Sequence, residues 1–113
     1  MKSKTVQALG LIGLATKAGK TITGAQGCEN AIKNDKAELV ILAADASENT
    51  KIPIIRLCRY KEIILREFAD KESLGKYTGS EYRAIIVIND KGLANRILEL
   101  IDDTQSEEKV LED

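Results

Sequence analysis

Leu39-Val40-Ile41-Leu42-Ala43-Ala44-Asp45-Ala46-Ser47-Glu48-Asn49-Thr50 decides how this chain folds. The uninterrupted apolar run Leu39 to Ala43, bounded by polar residues, suits a strand covered on both faces. The segment Asp45 to Thr50 then reads as a loop, and Ser47 and Asn49 are good caps for a following helix that reaches about Tyr60. Pro53 fits that helix if it lies in the first turn, where its missing N–H is not needed. A doubly covered strand that feeds a helix is the building unit of an α/β protein.

The pattern repeats in both directions. Downstream, Ile63-Ile64-Leu65 reads as a second buried strand, Lys71 to Tyr77 as a short helix and Thr78-Gly79-Ser80 as a turn. Ala84-Ile85-Ile86-Val87-Ile88 is the third long apolar strand, and a last helix from about Lys91 to Ile101 buries Leu93, Ala94, Ile97, Leu98 and Ile101. Upstream, residues 3–18 are helical in spacing, with Val6, Leu9, Ile12 and Ala15 recurring on one side. Lys20 to Thr23 is a brief β-branched strand, and Gly24 opens a helix to about Asn34 with Ala25, Cys28, Ala31 and Ile32 on its apolar stripe. This alternation predicts a single-domain three-layer α/β/α sandwich around a mixed central sheet of about four strands, spanning residues 1–101.

The stretch Gly13-Leu14-Ala15-Thr16-Lys17-Ala18-Gly19-Lys20-Thr21 imitates a phosphate-binding P-loop, but five residues separate its glycines. The P-loop requires four, because successive N–H groups must curl around one phosphate. It also follows a strand, whereas the residues before Gly13 read as a helix.

The chain has 113 residues, 43% of them hydrophobic, enough for one domain with its own core. No apolar run reaches the ~20 residues of a membrane span. Met1-Lys2-Ser3-Lys4 has no apolar leader behind it, so a cytoplasmic location without membrane contact is expected. Two cysteines and no histidine make neither a metal set nor a Ser/Cys–His catalytic pair, so no metal, no cofactor and no enzymatic activity are expected. Residues 102–113 hold six acidic groups against Lys109, a net −5, while the body carries 16 Lys and Arg against 12 Asp and Glu, a net +4. The acidic stretch is expected to be a solvated, disordered tail, and the basic body suits an anionic partner.

In an open α/β sheet, ligands gather at loops beyond the carboxyl ends of strands. Two such loops open helices here: Thr23-Gly24-Ala25-Gln26 and Asp45 to Thr50. Free N–H groups at a helix start attract anions, and Gly24 admits close backbone approach. Lys17, Lys20, Lys33, Lys36 and Lys76 are candidates to ring such a site. Lys51, Arg56 and Arg59 form a cationic stripe on the third helix. With Phe68, Tyr60, Tyr77 and Tyr82 as its only aromatics, the chain is a poor single-strand stacking platform but is compatible with structured RNA.

Ala18 to Gly24, Ala31-Ile32-Lys33, Lys36 to Thr50, and Leu74-Gly75-Lys76-Tyr77-Thr78-Gly79 followed by Ala84 to Ile88 together resemble the kink-turn RNA-binding ribosomal proteins of the large-subunit 7Ae/30e family, in its small bacterial branch. The similarity covers roughly residues 4–101. It implies a three-layer fold that docks on structured RNA, ribosomal RNA first among candidates, on the ribosome. Three loops would meet the RNA: Gly24 to Asn30 (with Ala25, Gln26 and Gly27), Asp45 to Thr50 (with Ser47 and Asn49), and Tyr77 to Ser80 (with Thr78 and Gly79). Lys20 and Lys33 are the flanking cations. Typical members open the second helix with Gly-x-Asn-Glu-x-x-Lys, whose Asn and Glu read sheared G·A pairs. Gly24 matches, whereas Gln26, Gly27 and Asn30 stand at the three reader positions.

Two other readings compete. One is a protein-interaction module of the same fold, in which those three residues mark lost kink-turn reading. The other is a small-molecule enzyme built on Asp45, Ser47 and Thr50.

Overall fold

A computed structural model describes the backbone of residues 2–112 and the side chains of residues 2–105. The elements run α1 (Lys4–Lys17), β1 (Thr21–Thr23), α2 (Ala25–Lys33), β2 (Leu39–Leu42), α3 (Glu48–Lys61), β3 (Leu65–Glu67), α4 (Lys71–Thr78), β4 (Ile85–Ile88) and α5 (Lys91–Glu112). The four strands form one sheet in the order β1-β4-β2-β3. β4 is antiparallel to both its neighbours, and β2 and β3 are parallel, so the sheet is mixed as expected.

The apolar runs of β2 and β4 are covered on both faces because side chains alternate along a strand. Leu39, Ile41, Ile86 and Ile88 face one core with Ala8, Leu9 and Ile12 of α1, Leu74 of α4, and Ile97 and Ile101 of α5. Val40, Leu42, Ile85 and Val87 face the other with Cys28 and Ile32 of α2 and Ile54 and Cys58 of α3. That is the three-layer sandwich.

The P-loop imitation is a helix stop. Gly19 has φ 72°, its N–H donates to Thr16 O at 3.0 Å and Lys20 N–H donates to Ala15 O at 2.8 Å. This pair of bonds satisfies the last carbonyls of α1. Gly13 serves packing instead, since a Cβ there would lie 3.0 Å from the Tyr77 carbonyl oxygen of α4.

Three expectations change. Pro53 is the sixth residue of α3, not a first-turn residue, so the Asn49 carbonyl loses the donor it would have in a regular helix. The third strand is Leu65–Glu67 rather than Ile63–Leu65. Glu62 ends α3 in a left-handed conformation at φ 58°, and Ile63 N–H turns back to Cys58 O at 2.9 Å, so Ile63 still belongs to the helix stop. Finally, α5 does not end at Ile101 but continues as helix to Glu112. Just past residue 101, Asp102 pairs with Arg66 at 2.8 Å and Thr104 is buried. The tail side chains from position 106 onward, and Asp113 entirely, lie outside the described residues.

Candidate nucleic-acid interface

Strand register decides which loops meet. Thr23 of β1 pairs with Ile86, and Leu42 of β2 pairs with Ile85 and with Glu67 of β3. The carboxyl ends of β1, β2 and β3 and the amino end of β4 therefore share one end of the sheet. Out of that end come the β1–α2 turn, the β2–α3 loop, the β3–α4 loop and the α4–β4 loop. Two of the loops singled out from sequence start there outright. The third, Tyr77 to Ser80, enters through the α4–β4 connection.

The β1–α2 turn is the most open part. Gly24 has φ 85° and ψ 143°, a region almost closed to residues with a Cβ. It caps α2 without any side-chain hydrogen bond, and Gly24, Ala25, Gln26 and Gly27 are all exposed. The N–H groups of Ala25, Gln26 and Gly27 thus have no acceptor within the helix. An imagined Cβ at Gly24 meets nothing within 4 Å, so the glycine is demanded by backbone angle and the space above it is open. On the next turn, Gln26 Nε2 donates to Asn30 Oδ1 at 3.1 Å.

The β2–α3 loop is braced rather than loose. Asp45 Oδ1 accepts from Lys71 N–H at 2.9 Å, at the start of α4. Lys51 Nζ donates to Ala44 O at 2.7 Å and to Glu67 Oε1 at 2.6 Å. Lys51 therefore leaves the expected cationic stripe, in which Arg56 and Arg59 remain exposed. Ser47 Oγ accepts from Thr50 N–H at 3.3 Å and lies 3.1 Å from the Thr50 hydroxyl. Asn49 is exposed beside them. Asp45 is thus tied to the start of α4 through one carboxylate oxygen, while Ser47 and Thr50 bond each other.

Four of the sequence-derived candidates fall elsewhere. Lys20 sits at the opposite end of the sheet, where its carbonyl accepts from Asn89 N–H at 3.0 Å. Lys33 occupies the last turn of α2, away from Gly24, and is held by Glu29 at 2.8 Å. Tyr77 packs against Gly13 of α1. Thr78 is buried and its hydroxyl donates to Leu74 O at 2.7 Å. Gly79, at φ 82°, makes the turn that ends α4.

Two further residues stand at this end of the sheet that the sequence reading did not place in the interface. Tyr82 and Arg83 immediately precede β4, and Tyr82 is 59% exposed at the loop end of the sheet. Gly75 makes their placement possible, because a Cβ there would lie 2.7 Å from the backbone of Glu81. Arg83 N–H donates to Lys71 O at 3.0 Å, and its Nε is buried without a partner among the described residues. The available signal was an aromatic–basic pair placed just before an apolar strand.

Cys28 itself is packing. Burial pushes its thiol up to about 12, and its Sγ lies 3.2 Å from Ile22 O. Among the described residues no three acidic or thiol side chains converge as a metal set, and no helix is long and apolar enough to cross a membrane.

Comparison with known proteins identifies the lineage. The ribosomal protein L7Ae/L30e/S12e/Gadd45 family matches residues 7–98. The RNA-binding protein YlxQ of Bacillus subtilis is 34% identical over 92 residues, covering 81% of this chain and 92% of that protein. The protein of the same name from Enterococcus faecium is 38% identical over 96 residues, covering 85% and 92%. A Bacillus halodurans protein of unknown function superposes with a TM-score of 0.82 at 32% identity, covering 84% of this chain and 96% of that one. The 15.5kD RNA binding protein of Giardia lamblia, at 21% identity, shares the fold with a TM-score of 0.76 over 94% and 92% of the two chains. With these matches spanning nearly all of the sandwich, the chain belongs to the ribosomal protein L7Ae/L30e/S12e/Gadd45 family.

Proposed function

We propose that this chain is a non-catalytic, cytoplasmic RNA-binding protein that docks on structured, kink-turn-like RNA, ribosomal RNA first among candidates, through the loops at one end of its sheet. The observation that carries the reading is the exposed start of α2. Three N–H groups with no helical acceptor open onto clear space above Gly24, beside two further loops at the same sheet end. Such a surface takes phosphate oxygens on the free N–H groups. Gln26 and Asn30 supply amides for base edges, and Tyr82 supplies an exposed ring for stacking. The relatives named RNA-binding protein YlxQ support the partner class.

The test is a titration against a kink-turn RNA and an unkinked duplex at two salt concentrations. Binding that weakens with salt and favours the kinked RNA is expected. No binding to either RNA would sink the reading. A protein-interaction module is the second reading, favoured by one observation: Gln26 and Asn30 already hydrogen-bond each other. Partners retained on the immobilised protein after nuclease treatment, together with absent RNA binding, would establish it instead.

A further inference from the structure

One side of α1 is left over by the fold. From Ala8 to Ala15 the helix carries no polar side chain. Ala8, Leu9 and Ile12 face the core beside the sheet. Val6, Gly10 and Leu14 recur every four residues, which aligns them along another side of the helix. Val6 is 37% exposed and Leu14 60% exposed. With Leu11, and with Leu100 of α5, they line an open recess of about 470 Å³. A helix that is apolar all round belongs under cover on both sides. Gly10 points the same way. A glycine inside a helix weakens it relative to alanine. Gly13 is explained by the Tyr77 carbonyl oxygen, 3.0 Å from where its Cβ would lie, but a Cβ at Gly10 would meet nothing within 4 Å. No packing among the described residues requires Gly10, and its bare backbone lines the recess, where another chain can approach closely. The charged residues lining the recess are both cations, Lys2 and Arg96. Lys17, exposed like Lys2, continues the row one turn beyond Leu14. Arg96 is held by Glu99 at 3.0 Å, whereas Lys2 and Lys17 make no ion pair among the described residues.

We propose that the α1–α5 recess is a docking surface for a helix of another protein, apolar on one side and acidic along its flanks. The row from Lys2 to Lys17 spans about 22 Å at 1.5 Å per residue, the length of a four-turn helix. A third helix laid along the packed pair covers Val6, Leu14 and Leu100, and Gly10 lets the two axes come close. Its carboxylates meet Lys2 and Lys17 at the two ends of the row. A second copy of this chain fits less well. Parallel pairing of two α1 helices sets Lys17 against Lys17, and antiparallel pairing across Gly10 sets Lys17 against Lys2, so cation meets cation either way. The recess lies on the outer side of two helices rather than among the loops at the sheet end, so the proposal stands apart from the RNA-binding reading.

The test uses the isotope-labelled full chain and three synthetic helical peptides of about 16 residues. The first carries leucine and alanine on one side and glutamate on its flanks. The second has lysine in place of glutamate, and the third has the composition of the first in an order that leaves no apolar side. The first is expected to bind and to shift the amide signals of Val6, Gly10 and Leu14, with the other two at least about tenfold weaker. Gly10→Gln puts a better helix former into open space, so it should raise the thermal midpoint while weakening the first peptide about tenfold. Lys2→Gln with Lys17→Gln should weaken it about threefold, and Arg56→Gln with Arg59→Gln, an equal change of charge on α3, should leave it near the parent. No binding, binding that ignores the peptide's charge or order, shifts confined to other elements, or undiminished binding by Gly10→Gln overturns the proposal. A kink-turn RNA that shifts the same α1 amides, or self-association that Gly10→Gln abolishes, overturns it in favour of RNA or of a second copy.

Discussion

Gln26 Nε2 and Asn30 Oδ1 lie 3.1 Å apart, one helical turn from each other on the exposed start of α2. The pair joins two of the positions at which the resemblance expects base-reading side chains. Asn30→Lys removes the acceptor, frees Gln26 and adds a cation. RNA affinity is expected to rise, with the salt slope steepening by about one. Unchanged affinity and slope in a filter-binding titration would show that this turn of α2 does not face the RNA.

Gly24 and Lys33 separate the two ends of α2. Gly24→Val forces a β-branched residue to φ 85° and ψ 143° and should destabilise the fold by roughly 1–3 kcal/mol while weakening RNA binding. Lys33→Ala, far from the open turn and already paired with Glu29, should leave binding near the parent. Equal losses in the two variants, measured on protein confirmed folded by circular dichroism, would contradict the proposed interface.

Gly75→Ala should be costly without touching any candidate contact. Its new Cβ would lie 2.7 Å from the Glu81 backbone, so the α4–β4 loop must move. A loss of about 1–3 kcal/mol in urea unfolding is expected. RNA binding should fall as well, because the same loop carries Tyr82.

Both thiols should be silent to alkylation in the native protein at pH 8 and react fully in denaturant. Burial pushes Cys28 up to about 12 and Cys58 up to about 11 from an ordinary 9.0. The sign follows from which state releases the proton first. Above pH 9 the unfolded thiols ionise while the folded ones stay neutral, so stability falls as pH rises from 9 through the folded values. Replacing both cysteines with alanine should flatten that alkaline limb of a stability-versus-pH curve, and an unchanged limb would refute the assignment.

The core was legible because β2 and β4 are apolar without interruption, which only a strand covered on both faces tolerates. The third strand was misplaced because Ile63 and Ile64 look like strand residues. Nothing in the pattern announces that Glu62 adopts a left-handed turn, since that conformation usually goes to glycine. At the start of α2, the positive φ of Gly24 was readable from residue type, since that backbone region favours glycine. Lys20 stands at the other sheet end from Gly24 because three residues of strand separate them, a distance invisible to sequence proximity. Thr78 and Tyr77 were chosen as loop residues although α4 keeps both against the body. Tyr82 and Arg83 needed the α4–β4 loop to be traced before their position at the amino end of β4 could be seen.

The strand order has a further consequence, in time rather than in space. Among the described residues β4 is the last strand made, yet it lies between β1 and β2 and is the one strand that pairs with β1. Until residues 85–88 have been synthesised, β1 has nothing to pair with and β2 has only its parallel neighbour β3. The two halves of the sheet are thus joined by a keystone that arrives near the end of translation. Folding of this chain should be close to all-or-none, with fragments ending before Ile85 unable to close the sheet.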